Sequence, residues 1–170
     1  GRDLCYCRPD TTWERENKDF YSPECVKELH WAPIVFARIS KAGKCIGGKF
    51  ASRYYDAFNF GALLYCHTSE SSDIAFTSCA DHTSLLPAPL YNPVVMESEE
   101  NIFEVRKNGE VVASYTINDA IRSGALNGSV MLMKGDLLAF TFKLTTDANI
   151  TNHDKFFFLG ETYVAKTADI

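Results

Sequence analysis

Residues 34–61 read I-V-F-A-R-I-S-K-A-G-K-C-I-G-G-K-F-A-S-R-Y-Y-D-A-F-N-F-G, from Ile34 to Gly61. The near-continuous apolar run over residues 33–39 predicts a strand buried on both faces. A glycine-containing turn follows. Phe50, Tyr54 and Ala57 then fall on one side at helical spacing, which predicts a short amphipathic helix over residues 49–57. The stretch closes on the start of a second strand.

Downstream, residues 102–106 and 111–116 flank Lys107-Asn108-Gly109-Glu110, and Asn-Gly between two such runs is the strongest short hairpin signal. Asn118 is the expected N-cap of a helix through about Arg122, terminated by Gly124. Residues 130–133 and 137–142 read as strands around Lys134-Gly135-Asp136. Residues 155–159 and 162–166 form a last pair around Gly160-Glu161. Upstream, residues 4–8 read as a short strand, and the polar run 14–19 has neither apolar period and reads as a surface loop. Residues 69–86, rich in Ser, Thr and Asp, read as a loop with at most a short strand. Pro87, Pro89 and Pro93 then exclude a helix there. Strands dominate and helices are few and short, which gives an α+β, mainly β class with mixed sheets arranged as a roll or sandwich.

At 170 residues the expectation is one domain over 1–170, with an ordinary hydrophobic content of 46%. The net charge of −5, with no long Lys/Arg run, offers no electrostatic footprint for nucleic acid. No apolar run reaches the roughly 18 residues of a membrane span, so neither nucleic acid nor membrane is an expected partner. The six cysteines (Cys5, Cys7, Cys25, Cys45, Cys66, Cys79) include no C-x-x-C pair. Cys5, Cys7, Cys25 and His30 supply the ligand types of a zinc site, but small buried or free thiols are the favoured reading, as expected of a cytoplasmic protein. Asn127-Gly-Ser129 and Asn149-Ile-Thr151 are glycosylation triplets that matter only in a secreted chain.

The segment 34–61 resembles the central part of the fumarylacetoacetate hydrolase family, metal enzymes acting on 2-oxo acids and acylpyruvates. The resemblance extends to the Asn108-Gly109 hairpin, the helix near Asn118, the stretch Ser129-Val-Met-Leu-Met-Lys-Gly135-Asp136 and the turn at His153-Asp154. Arg8-Pro9-Asp10 resembles the segment after the family's first strand, whereas the family's N-Y-x-x-H motif is not in this chain. The resemblance implies a mixed-sheet fold of that type and a homo-oligomer. It also implies a Mg²⁺ or Mn²⁺ centre built from three carboxylates, because a hard cation prefers oxygen ligands. An E-x-E pair on one strand would fall at Ala32 and Ile34, and the third ligand at Leu63. The family lysine would fall near Thr77–Cys79, and the substrate-contacting strand end at Phe140-Thr141-Phe142-Lys143. None of these positions keeps the required side chain.

Three functions follow as expectations. The leading one is a non-catalytic scaffold with a degenerate metal site at Ala32, Ile34 and Leu63, needing no cofactor and acting in binding, assembly or regulation. The second is a metal-dependent hydrolase, isomerase or decarboxylase of acylpyruvates or 2-oxo acids, drawing Mg²⁺ or Mn²⁺ ligands from Asp56, Asp73, Asp81, Glu97, Glu99 and Glu100. The third is a secreted, disulfide-containing binding module. The cleft candidates are His67, Cys79, Asp81, His82 and Phe142, among which a Cys–His pair has the composition of a nucleophile and its base. For His67 and His82 a solvated loop position is the more ordinary role, and for Cys79 a packed thiol.

Overall fold

The computed structural model describes residues 6–16, 18–68, 74–96, 103–115, 131, 133–141, 155–158 and 161–166. In chain order they form a 3-10 helix (Asp10–Thr12), β1 (Trp13–Glu14), β2 (Phe20–Tyr21), β3 (Val26–Ile39), a second 3-10 helix (Gly48–Arg53), β4 (Tyr55–Thr68), α1 (Ile74–Cys79), β5 (Ser84–Leu85), α2 (Pro93–Met96), β6 (Phe103–Lys107), β7 (Glu110–Tyr115), β8 (Leu137–Thr141), β9 (Lys155–Phe158) and β10 (Glu161–Lys166). One sheet runs β1-β5-β4-β3-β8 and the other β2-β10-β9-β6-β7. The pairs β1–β5 and β10–β2 are parallel and the other described pairs antiparallel, so both sheets are mixed.

The long antiparallel ladder of β3 with β4 is the spine, and it explains why residues 34–61 decide the fold. Alternation sends Leu29, Trp31, Leu64 and Cys66 to one face, where they pack with Phe20, Val105 and Val112 contributed by the second sheet. The opposite face carries a separate cluster of Ile34, Phe36 and Leu63. Both faces of β4 are therefore covered, as the continuous apolar run requires. Gly61 is obligatory there: a Cβ would stand 2.1 Å from the Leu85 carbonyl oxygen of β5, a backbone atom that cannot move aside. Beside it, the buried Asn59 donates its side-chain amide to the carbonyls of Pro87 (3.2 Å) and Pro89 (3.0 Å), tying the proline-rich segment to β4.

The hairpin forms as expected. Asn108 (φ 52°) and Gly109 (φ 85°) occupy the two left-handed positions that a type I′ turn demands, with Lys107 opposite Glu110. Gly135 (φ 98°) turns the chain into β8, and its N–H donates to the Ile39 carbonyl at 2.8 Å.

Several expectations are corrected. The helix over residues 49–57 is a 3-10 helix over Gly48–Arg53. Tyr55 and Ala57 are drawn into β4 because they pair with Ile39 and Arg38. Residues 74–86 contain α1 and β5 as well as loop. Thr77 and Ser78 are accommodated in α1 by donating to the carbonyls of Ile74 and Ala75. Pro93 opens α2 instead of excluding it, because the first helical residue needs no N–H partner, and Asn92 caps the N–H of Val94 at 2.9 Å. Glu14 is not a loop residue: it lies in β1 and is buried. Tyr6, Cys7 and Arg8 are irregular, as are Met131 and Met133, where strands were expected. Leu4, Cys5, Val130, Leu132, the helix near Asn118, Phe142, His153-Asp154 and both glycosylation triplets lie outside the described residues.

Candidate functional site

On the β3–β4 ladder Ala32 stands opposite Leu63, and Ile34 opposite Gly61. Opposed residues share a face, as do alternate residues of one strand. Ala32, Ile34 and Leu63 therefore occupy adjoining places on one face. Ile34 is fully buried and Leu63 is 6% exposed; Phe36, Tyr65, Leu86, Leu90 and Leu137 complete the cluster around them. This patch is apolar apart from the Tyr65 hydroxyl, with Ala32 half-buried at its edge.

The same face turns polar toward the Val26 end of β3, where His30 pairs with Tyr65 and Glu28 with His67. The His30 and His67 rings lie 4.7 Å apart, and the Nε2 atom of His30 is 3.5 Å from a Glu28 carboxylate oxygen. The Tyr65 hydroxyl meets that of Tyr6 at 2.8 Å. Arg8 lies over the Tyr65 ring at 5.0 Å, donating to the Leu64 carbonyl (2.8 Å) and to the Thr83 hydroxyl (3.0 Å). Its buried Nε has no hydrogen-bond partner among the described residues. Arg8 thus pins the first described residues to β4 and to the turn before β5.

Burial, with the Tyr6 hydrogen bond added, pushes the Tyr65 phenol well above its usual range, so it stays protonated and acts as a hydrogen-bonding group. Burial also pushes the Cys66 thiol, on the opposite face, up to about 11, which makes it an inert core residue. His67 is lowered by burial first and by the neighbouring His30 second, against a smaller opposing effect of Glu28. A histidine whose folded pKa is depressed gives its full stability above its unfolded value near 6.5, and loses it as pH falls from there through the folded value. The urea midpoint of the wild type is therefore expected to drop more between pH 7.5 and pH 5 than that of His67→Gln. Equal drops would remove His67 from this account.

The remaining candidates do not converge. The exposed Cys79 lies at the end of α1 and donates its Sγ–H to the Phe76 carbonyl of the same helix (3.5 Å). His82 is exposed, in a left-handed conformation (φ 58°), with Nδ1 2.9 Å from the carboxylate of Glu14. The Cys–His pairing considered from sequence is thus not formed by Cys79 and His82. Asp81 is exposed beside them, and Asp56 is held by Arg38 at 2.9 Å. Asp73, Glu97, Glu99 and Glu100 lie outside the described residues. Among the described residues no group of three His, Cys, Asp or Glu side chains is arranged to hold a metal ion, which includes the Cys7, Cys25 and His30 combination. Sequence reading missed Arg8, Tyr6, Tyr65 and the Glu14–His82 pair as contributors. The one signal for Tyr65 was its alternation with Leu63.

No protein-family model matches the chain, and no curated protein sequence does. Solved structures do. The fumarylpyruvate hydrolase of Pseudomonas aeruginosa, in complex with Mn²⁺ and pyruvate, superposes with a TM-score of 0.72 at 16% identity, over 96% of this chain and 78% of that one. A protein assigned to the fumarylacetoacetate hydrolase family from Yersinia pestis gives 0.66 at 14% identity, over 95% and 83%. This chain has the fumarylacetoacetate hydrolase fold. The 2-hydroxyhepta-2,4-diene-1,7-dioate isomerase of Mycobacterium marinum shares it too, with a TM-score of 0.73 at 15% identity over 98% and 70%.

The fumarylacetoacetate hydrolase fold brings with it the question of a divalent cation. The side chains at Ala32, Ile34 and Leu63 carry no oxygen, nitrogen or sulfur donor, and two of the three are sealed in an apolar cluster. A hard cation needs six or more oxygens around it. These residues do not fit such an ion.

Proposed function

We propose that this protein is a non-catalytic member of the fumarylacetoacetate hydrolase type, a cytoplasmic homo-oligomeric scaffold that acts in binding, assembly or regulation. One observation carries the reading. The positions that the resemblance assigns to the metal carboxylates adjoin on one face, and two of them, Ile34 and Leu63, are packed in an apolar cluster. The five described cysteines are all free thiols, which agrees with a reducing compartment. No described helix is long and apolar enough to cross a membrane.

The reading has a kinetic consequence. A Lewis-acid metal supplies several kcal/mol of transition-state stabilisation, and a loss of about 5 kcal/mol slows a step roughly 10³–10⁴-fold. Acylpyruvates and 2-oxo acids, offered with 1 mM Mn²⁺ or Mg²⁺, are therefore expected to turn over no faster with the protein than without it. Turnover that EDTA abolishes would defeat the proposal and leave an active hydrolase or isomerase in its place.

A further inference from the structure

The loop joining β3 to β4, residues 40–54, carries Lys41, Lys44, Lys49 and Arg53 and not one acidic residue, in a chain whose net charge is −5. All four cations are exposed, and none forms an ion pair with a described residue. Arg38 at the base of the loop, by contrast, is neutralised by Asp56 at 2.9 Å. The loop is also built to hold its shape. Its ends are joined by the N–H of Ser40 donating to the Tyr54 carbonyl at 2.8 Å, and Ile46 is buried beneath it. Gly43 lies so close to Tyr54 that a Cβ would stand 2.5 Å from the ring. A compact surface loop with joined ends and its own small core is a recurrent carrier of function. Three of the cations stand over its rings: Lys49 and Arg53 at 4.9 and 5.2 Å from the centre of Phe50, and Lys41 at 5.3 Å from that of Tyr54. Phe50 is itself 40% exposed.

We propose that this loop is a docking surface for an acidic peptide segment of a partner protein, an inference independent of how the metal positions are read. Charge complementarity requires an anionic partner. Across a twofold axis the loop would meet its own like charges, so a second copy placed that way is disfavoured. Base stacking is disfavoured as well, because a single-stranded nucleic acid needs open aromatic faces and here the rings already carry cations. Gly43-x-x-x-x-Gly48-Lys49 matches the spacing of a phosphate-binding loop. However, Phe50 stands where that motif places a hydroxyl, and the following helix is a six-residue 3-10 turn leading to an antiparallel strand. A peptide carboxylate suits the surface better: the Arg53 guanidinium offers a bidentate fork, the lysines add point charges, and the part of Phe50 that stays exposed beside its cations gives an aliphatic side chain, which needs no open ring face, an apolar contact.

The test is fluorescence anisotropy with a labelled ten-residue peptide of Glu and Asp containing one Leu. The wild type is expected to bind it saturably at 50 mM salt, with at least a tenfold loss of affinity at 300 mM. A Lys49→Glu/Arg53→Glu variant with the wild-type melting temperature is expected to lose at least tenfold, and Lys27→Glu, an exposed cation elsewhere, to lose little. Absence of saturable binding would overturn the proposal, as would equal losses for Lys27→Glu. So would tighter binding of a single-stranded oligonucleotide, of ATP or of anionic vesicles than of the peptide.

Discussion

Ala32→Glu, Ile34→Glu and Leu63→Asp, combined in one chain, are expected to destabilise the metal-free protein severely and to make its stability depend on Mn²⁺. Three carboxylates would enter adjoining places on one face of the β3–β4 ladder, two of them in positions now sealed from water. An uncompensated buried charge costs about 3–5 kcal/mol, and the three anions repel one another as well. Mn²⁺ would supply the missing counter-charge. At a free concentration a hundredfold above its dissociation constant, a ligand that binds only the folded state adds about 2.7 kcal/mol. Urea unfolding with and without Mn²⁺ reads both effects. Wild-type stability without the metal, or a midpoint that Mn²⁺ leaves unmoved, would show that these three side chains are not gathered as described.

The second large effect is expected at Trp31. Its side chain is 1% exposed and packs in the cluster that joins the β3–β4 ladder to Phe20, Val105 and Val112 of the other sheet. Trp31→Ala removes the largest of these side chains and leaves a cavity, for a loss of about 3–5 kcal/mol. At roughly 2–4 °C per kcal/mol for a chain of this length, the melting temperature should fall by about 6–20 °C. Val94→Ala, at a position 77% exposed, is the comparison and should stay within about 0.5 kcal/mol of the wild type. Equal losses at the two positions would mean that the two sheets do not share this core.

Legibility from sequence followed the range of the interactions. The Asn108-Gly109 turn was readable because its left-handed backbone is a local demand that few residues meet. Residues 33–39 are readable as a buried strand from their apolar run, whereas the first half of β3, with Lys27, Glu28 and His30, is not. The helix expected over residues 49–57 is too long because Phe50, Tyr54 and Ala57 satisfy a helical period, while the ladder with Ile39 and Arg38 decides the conformation of Tyr55 and Ala57. Glu14 was misplaced for a related reason. Its burial depends on β5, which lies some seventy residues away, and on His82, and no local pattern announces either. Of the site face, the apolar patch followed from strand alternation and the resemblance. The Arg8–Tyr65–Tyr6 cluster did not, since hydrogen bonds between distant residues leave no period in the sequence.

The fumarylacetoacetate hydrolase fold here has apolar side chains at the positions where the resemblance places a cation's ligands. Titration of the wild-type protein with Mn²⁺, followed by the loss of the free-ion electron paramagnetic resonance signal, tests it most directly. The signal is expected to grow in proportion to added Mn²⁺ at 100 μM protein, as in buffer alone. Saturable binding of one Mn²⁺ per chain, displaced by Mg²⁺ and unaffected in His30→Ala and His67→Ala, would contradict it.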